Sequence, residues 1–265
     1  MHFKIKKDCL LKHLNYSIRG ISNKNLRPIL NCIKFDLTKE GLYLLSTDND
    51  IAIKTFIDIK EIEEDYTCGQ FVVFGKYIYD IIRKLPNEVI NIEEVIDSKI
   101  FISTKNSSFS LNCNNVDEFP NLELEESKEP IILNTKILKN IISQTSFAAS
   151  NQESRPAITG INFKITGDVL ECTATDSYRL AKKSLKLDKI MTDDINIIIP
   201  TRNLLELTKM FNEIDEPIEV HIFNNKIIFK FNNLIVLSRL INGSYPDVSK
   251  LIPNDFLLKM TVSMN

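Results

Sequence analysis

Arg27-Pro28 opens the stretch RPILNCIKFDL, residues 27–37, and 128 positions later Arg155-Pro156 opens RPAITGINFKI, residues 155–165. Both continue as alternating apolar segments, the period of a half-buried strand. The match extends outward. Thr47-Asp48 recurs at the same spacing as Thr175-Asp176, Val73 and Leu85 recur 126 positions on as Ile199 and Phe211, and Phe119-Pro120 recurs at that spacing as Tyr245-Pro246. Correspondences in one order at nearly one offset mark two copies of a single unit, and a repeat has to be recognised before any motif is read.

Each copy has the same grammar. An extended entry, FKIKK (3–7) or IILNT (131–135), leads into a helix, with Leu10, Leu11, Leu14 and Ile18 spaced for one face in the first copy and Leu138, Ile141 and Ile142 in the second. Strands follow, then a second helix marked by Ile78, Ile81, Ile82 and Leu85, or by Leu204, Leu207 and Phe211. A meander closes the unit, and Asn224-Asn225 and Asn232-Asn233 punctuate it with residues that tolerate the left-handed turn backbone. The expected fold is α+β, repeated units each with two helices packed on antiparallel β-sheet. The expected domains are 1–127 and 128–253, with the acidic ELEESKEP (123–130) at their boundary, and 254–265 as the opening strand of an incomplete third unit, carried by FLLKMTVSMN (256–265).

The 265 residues are 43% hydrophobic and 26% charged, with 7 Gly and 9 Pro, which excludes a disordered or collagen-like chain. The five cysteines, Cys9, Cys32, Cys68, Cys113 and Cys172, show no C-x-x-C spacing and read as reduced thiols of a cytoplasmic protein. The N-terminal MHFKIKKDCLLKHL lacks the apolar core of a signal peptide, and no apolar run approaches the ~20 residues that span a bilayer. A soluble, intracellular chain without membrane contact is expected.

Lys+Arg 33 against Asp+Glu 35 gives a net charge of −2, so charge argues for a polyanion partner only through its placement. Residues 8–20 carry +1 (Lys12 and Arg19 against Asp8) and 75–85 carry +2 (Lys76, Arg83 and Lys84 against Asp80). Residues 135–148 carry +2 (Lys136, Lys139) and 201–211 carry +1 (Arg202 and Lys209 against Glu206). The four helices together hold +6, leaving −8 for the remainder. A basic helical face on an acidic protein suits a polyanion met on one side; solvated helix faces rich in Lys for helix propensity are the plainer alternative.

Catalytic signatures are missing. His2, His13 and His221 have no metal-ligand partner at helical spacing, and no phosphate loop, nucleophile elbow or dinucleotide fingerprint occurs. Asp48 and Asp50 suggest a two-metal centre, but the repeat of Asp48 at Asp176 favours a strand-end turn or capping role. No cofactor or metal is expected.

The segments KNLRPILNCIKF (24–35), FAASNQESRPAITGINF (147–163), TATDSYRLA (173–181) and NGSYPDVSKLIP (242–253) resemble the bacterial DNA polymerase III beta subunits, the sliding clamps, over the whole chain and in order. The resemblance implies a DNA-clamp fold, three units per full chain, and a head-to-tail homodimer ring with helices lining the hole. It also implies a non-catalytic processivity factor within a DNA-directed polymerase, a nucleotidyltransferase assembly. Such a ring encircles double-stranded DNA independently of sequence through phosphate contacts, and tethers the replicative polymerase alpha subunit. The clamp loader and other clamp-binding-motif proteins are its further partners. Positions matching the family's DNA contacts are Lys24, Lys76, Arg83, Gln152 and Arg202. Positions matching its partner-peptide pocket are Arg155, Ile158, Thr175, Ser177, Tyr178, Arg179, Leu180, Pro246, Lys250 and Leu251. Where the family often has Gly-His, this chain has Ser177-Tyr178. Without the missing third unit the pocket is expected to be incomplete and the ring open. The alternatives are a two-unit clamp closing as a homotrimer, a partner-binding fragment that does not encircle DNA, and a repeat-built enzyme using Asp48 and Asp176.

Overall fold

Residues 1–22, 26–95, 98–248, 251 and 257–263 are described by the structure, a computed structural model. The first copy runs β1 (His2–Lys6), α1 (Lys7–Ser17), β2 (Cys32–Leu37), β3 (Gly41–Thr47), β4 (Ile51–Asp58), β5 (Gly69–Phe74), α2 (Gly75–Lys84), β6 (Val89–Val95), β7 (Lys99–Ser103) and β8 (Ser108–Asn114). The second repeats the order as β9 (Ile131–Asn134), α3 (Thr135–Thr145), β10 (Gly160–Thr166), β11 (Val169–Thr175), β12 (Leu180–Lys186), β13 (Ile195–Pro200), α4 (Thr201–Thr208), β14 (Pro217–Ile222), β15 (Lys226–Phe231) and β16 (Leu234–Arg239). The α+β repeat of two helices on antiparallel sheet is the observed architecture, and the 128-residue offset superposes α1 on α3 residue for residue.

Each copy contains two four-stranded modules, β1-β6-β7-β8 with β5-β2-β3-β4, and β9-β14-β15-β16 with β13-β10-β11-β12. In the first copy they join through a two-residue pairing, Val72 opposite Asn114 and Val73 opposite Cys113. In the second, a backbone bond from Ile241 N to the Ile198 carbonyl, 2.9 Å, holds the corresponding place. The copies fuse where β4 pairs with β16, Leu234 opposite Thr55 through Ser238 opposite Ile51, which makes one sheet of twelve strands.

Side-chain alternation decides which faces close. In the first copy Phe3, Ile5, Leu10, Leu14, Phe35, Phe71, Ile78 and Ile82 form one core, with Phe35 and Phe71 stacked at 4.6 Å across β2 and β5. The second core gathers Leu138, Ile142, Phe163, Leu204 and Phe229, and it also takes Ile51 and Ile53 from β4 of the first copy. Burying an aliphatic side chain is worth roughly 1.5–3 kcal/mol, so these two residues tie the copies beyond the strand hydrogen bonds.

Two expectations are corrected. The fourth helix, expected over 201–211, ends at Thr208, because Met210 and Phe211 turn their N–H groups to Leu207 and Thr208, three residues back. The tighter turn lets Phe211 meet the Phe231 ring edge-on at 5.2 Å. The strand expected over 256–265 is not formed by residues 257–263, where Leu257, Leu258, Met260 and Val262 are exposed; a strand needs a paired strand for its backbone groups, and among the described residues this segment pairs with no strand.

The acidic 123–130 segment lies along the second copy. Lys226, Lys230 and Lys189 form ion pairs with Glu123, Glu126 and Glu129, and Ser127 N donates to His221 Nδ1 at 2.9 Å.

Candidate functional site

The four helices adjoin in the order α2, α1, α4, α3. Within each copy the two helices pack together, α1 with α2 and α3 with α4. Tyr79 of α2 donates to Asn15 of α1 at 2.9 Å, and Arg19, just beyond α1, pairs with Glu206 of α4 at 3.1 Å across the junction. Two of the three acids of these helices are paired with cations, Asp80 with Arg83 at 3.2 Å and Glu206 with Arg19 and with Lys209 at 2.6 Å, while Asp8 accepts from the Asn87 amide. Glu206 is half-buried, yet these two cations hold its carboxyl below the usual range against the opposing effect of burial. Lys12, Lys76, Lys84, Lys136 and Lys139 are exposed and form no ion pair among the described residues. They are the groups available to an anion.

The expected DNA contacts divide accordingly. Lys76 is exposed and free. Arg83 is tied to Asp80 and lies 5.6 Å over the Tyr79 ring. Gln152 sits in an exposed loop whose turn is closed by Ser150 Oγ accepting from Gln152 N. Arg202, at the start of α4, reaches back across the junction to Asp48 at 2.9 Å, so part of its charge is structural. Lys24 lies outside the described residues.

The turn after β11 gathers most of the expected peptide-pocket residues. Thr175 Oγ1 donates to the Arg179 carbonyl at 2.7 Å and accepts from Ser177 N at 3.1 Å. Asp176 Oδ1 accepts from the N–H groups of Tyr178 and Arg179, and Oδ2 from Arg179 Nε at 2.9 Å. Those two backbone donors are the main reason the Asp176 carboxyl stays below its ordinary range. Arg155 reaches Ser177 Oγ at 3.4 Å, Tyr178 is 97% exposed and Leu180 is half-buried. Ile158, also expected there, is 5% exposed. Pro246 lines a cavity of about 240 Å³ with Asn162, Lys164, Thr173 and Tyr245, which includes none of the other expected pocket residues. Leu251 is exposed, and Lys250 lies outside the described residues.

Two residues join this site that the motifs did not single out. Tyr245 Oη accepts the Thr175 N–H at 2.9 Å, and burial pushes its own ionisation up to about 12. Phe147, 57% exposed, lies under the Arg179 guanidinium at 5.8 Å. Both stand in segments already marked by the sequence, Tyr245 as the repeat of Phe119 and Phe147 at the end of an amphipathic helix.

Asp48 has the turn role that its repetition suggested. Its Oδ1 accepts from Asp50 N and Ile51 N at 3.1 and 3.0 Å, the contacts Asp176 makes in the second copy. Among the described residues no helix is long and apolar enough to cross a membrane.

Comparison with known proteins places this arrangement. The family model for the N-terminal domain of the DNA polymerase III beta subunit matches residues 1–123, and that for its central domain matches 132–247. The beta sliding clamp of Streptococcus pneumoniae is 35% identical over 268 residues, covering 100% of this chain and 71% of that protein. That of Staphylococcus epidermidis is 36% identical over 267 residues, covering 99% and 71%. The crystal structure of the Bacillus subtilis sliding clamp superposes with a TM-score of 0.91 at 35% identity, over 96% of this chain and 68% of that one. With its duplicated unit, its adjoining helices and its Thr175–Arg179 turn, the chain belongs to the DNA polymerase III beta subunits, the beta sliding clamps.

Proposed function

We propose that this chain supplies two of the units from which a ring around duplex DNA is built, and that its task is to hold a replicative polymerase on the template without catalysing a reaction. The observation that carries this reading is the continuous α2–α1–α4–α3 surface with five unpaired lysines. Ammonium groups on long stems attract phosphates wherever the duplex presents them, and contacts that ignore base identity let a protein slide. Lys24, Lys76, Arg83, Gln152 and Arg202 are assigned to that face. Units 1–127 and 128–253 are the working domains, and the cytoplasm, where the chromosome is copied, is the expected compartment.

The turn around Thr175 is assigned to partner recognition by the polymerase alpha subunit, the clamp loader and other clamp-binding-motif proteins. Arg155, Ser177, Tyr178, Arg179, Leu180, Pro246, Lys250 and Leu251, with Tyr245 and Phe147, offer apolar patches beside a few polar groups, the mix that orients an extended peptide. Ile158 supports them from the core.

A second reading concerns how the ring closes. β4 and β16 pair at the junction, while among the described residues the repeat-equivalent strands keep free edges: β12 pairs with β11 alone, and Ser108–Asn112 of β8 pair with β7 alone. Three chains joined β12 to β8 would reproduce the internal junction at every seam. Closure by a third unit within a homodimer and closure of two-unit chains as a homotrimer are separated by one experiment. Light scattering over a concentration series is combined with retention on nicked circular DNA. A trimer retained on circles and released by linearisation establishes the second reading. A monomer that is not retained, but gains retention when a third unit is fused to it, establishes the first. Failure to be retained in either form overturns both.

A further inference from the structure

The junction between the copies contains a cavity of about 370 Å³ with Thr47, Asn49, Ala52, Pro120 and Leu122 on one side and Asn225, Lys226, Leu237 and Arg239 on the other. Under the repeat, Thr47, Asn49, Ala52 and Pro120 are the counterparts of Thr175, Ser177, Leu180 and Pro246, four residues of the proposed peptide site. The local geometry repeats as well. Thr47 Oγ1 donates to the Ile51 carbonyl at 2.9 Å and accepts from Asn49 N at 3.1 Å, and Asn49 holds φ 77° where Ser177 holds 79°. The first copy therefore shows the turn with its second wall in place, because β15 and β16 of the neighbouring unit stand opposite it.

We infer that this junction groove is a second docking site, for an extended acidic peptide carrying an aliphatic anchor. The inference rests on the reading of the Thr175 turn as a peptide site. Leu122, partly exposed, gives the groove an apolar wall backed by Ala52 and Leu237, which are 2% and 9% exposed, and the three pack in one cluster with Leu124, Phe223 and Ile228. Arg239 is exposed and its guanidinium makes no hydrogen bond or ion pair among the described residues. Lys226 lies beside it, its ammonium bonded to the Glu123 carbonyl at 2.9 Å and paired with the Glu123 carboxylate, also in the groove wall, at 3.4 Å, so Arg239 carries the positive charge left over. A free guanidinium at the rim of an apolar wall calls for a carboxylate next to the anchor, since a charge-assisted bond from arginine is about twice as strong as a neutral one. The side-chain amides of Asn49 and Asn225 are also unpartnered among the described residues and suit the backbone groups of an extended peptide.

The test uses the full chain and a short synthetic peptide with photo-leucine between two aspartates. Cross-links are mapped by mass spectrometry, and affinity is read by calorimetry on the wild type, Arg239→Glu and Arg155→Glu. The expected result is cross-links at residues 225–226 and 237–239, with about tenfold weaker binding there for Arg239→Glu and no change there for Arg155→Glu. Cross-links confined to residues 175–180 and 245–248 overturn the junction groove and leave the Thr175 reading intact. Cross-links confined to the junction support the groove and remove the reading it was built on. Absence of binding overturns both.

Discussion

In the first copy the turn from Thr47 to Ile51 is tied to the other copy at its carboxylate: Asp48 is buried, its second carboxylate oxygen is bound by Arg202 of the other copy, and Asn203 donates to the Asp50 carbonyl. In the second copy the same turn, Thr175 to Arg179, keeps the side-chain bonds of its Thr and Asp but faces outward, with Asp176 paired to its own neighbour Arg179 and Tyr178 in solvent. The side-chain scaffold of the turn is shared, and the neighbour differs. The carboxylate that joins the copies in one turn is left to its own neighbour in the other, so duplication supplied a structural joint and a candidate site from one motif. The difference extends to the helices behind the turns. His13 of α1, buried against Thr55 of β4 at 2.5 Å, is replaced at the matching positions by Ile141 and Lys183.

The largest effect expected from this asymmetry is a pH dependence located in the first copy. Burial, and secondarily Lys12, lowers the His13 pKa from 6.5 to about 4. The folded state therefore refuses a proton that the unfolded chain accepts, so stability is fully present above about pH 6.5 and is lost as pH falls toward 4. The loss is about 3 kcal/mol, because each tenfold drop in proton affinity on folding is worth about 1.4 kcal/mol. Relative to His13→Gln, the wild type should lose thermal midpoint progressively as pH falls from 6.5 toward 4, the variant lacking this part of the slope. Parallel curves would show that His13 is as accessible to protons in the folded state as in the unfolded one.

Next comes the joint itself. Asp48→Ala strips two turn N–H groups and Arg202 of their acceptor at a buried position, a loss of about 2–3 kcal/mol. Asp176→Ala, in the same turn on the surface, should lower the thermal midpoint by less. Equal drops would mean that the cross-copy pair adds nothing to what the turn provides alone. Arg202→Gln sharpens the comparison: combined with Asp48→Ala it should cost less than the two single changes added together, because they share one interaction.

How far the sequence anticipated this can be judged from particular residues. The helices starting at Lys7, Gly75, Thr135 and Thr201 follow from apolar spacing, and Asn232, with φ 49°, turns β15 into β16 as its residue type suggests. The turn role of Asp48 was visible because the motif occurs twice. Its partner Arg202 was not, being 154 positions away and chosen by the way β4 meets β16. Local pattern specifies a unit, but the docking of one unit on another depends on surfaces assembled from distant segments. For the same reason the free lysines could be counted along the helices while their unpaired state could not: Asp80 and Glu206 select Arg83, Arg19 and Lys209 only once the helices adjoin. Phe147 escaped because an aromatic at a helix end reads as core until the fold leaves it outside.

The smallest effect separates the two turns at one backbone position. Asn49 and Ser177 both sit in the left-handed region, at φ 77° and 79°. Asparagine enters that region readily, whereas for most residues with a Cβ it costs about 1–2 kcal/mol. Glycine removes the steric cost but gives back roughly 0.5–1 kcal/mol through the greater freedom of its unfolded chain. Ser177→Gly should therefore stabilise the protein by about 0.5–1 kcal/mol, a rise of about 1–4 °C in Tm for a chain of this size. Among the described residues the hydroxyl it removes makes only the 3.4 Å contact with Arg155. Asn49→Gly should leave Tm unchanged or slightly lower, since asparagine has little strain to relieve. A destabilised Ser177→Gly would mean that the Arg155–Ser177 contact outweighs the backbone strain, and that serine holds Arg155 in place beside the turn at the expense of the backbone.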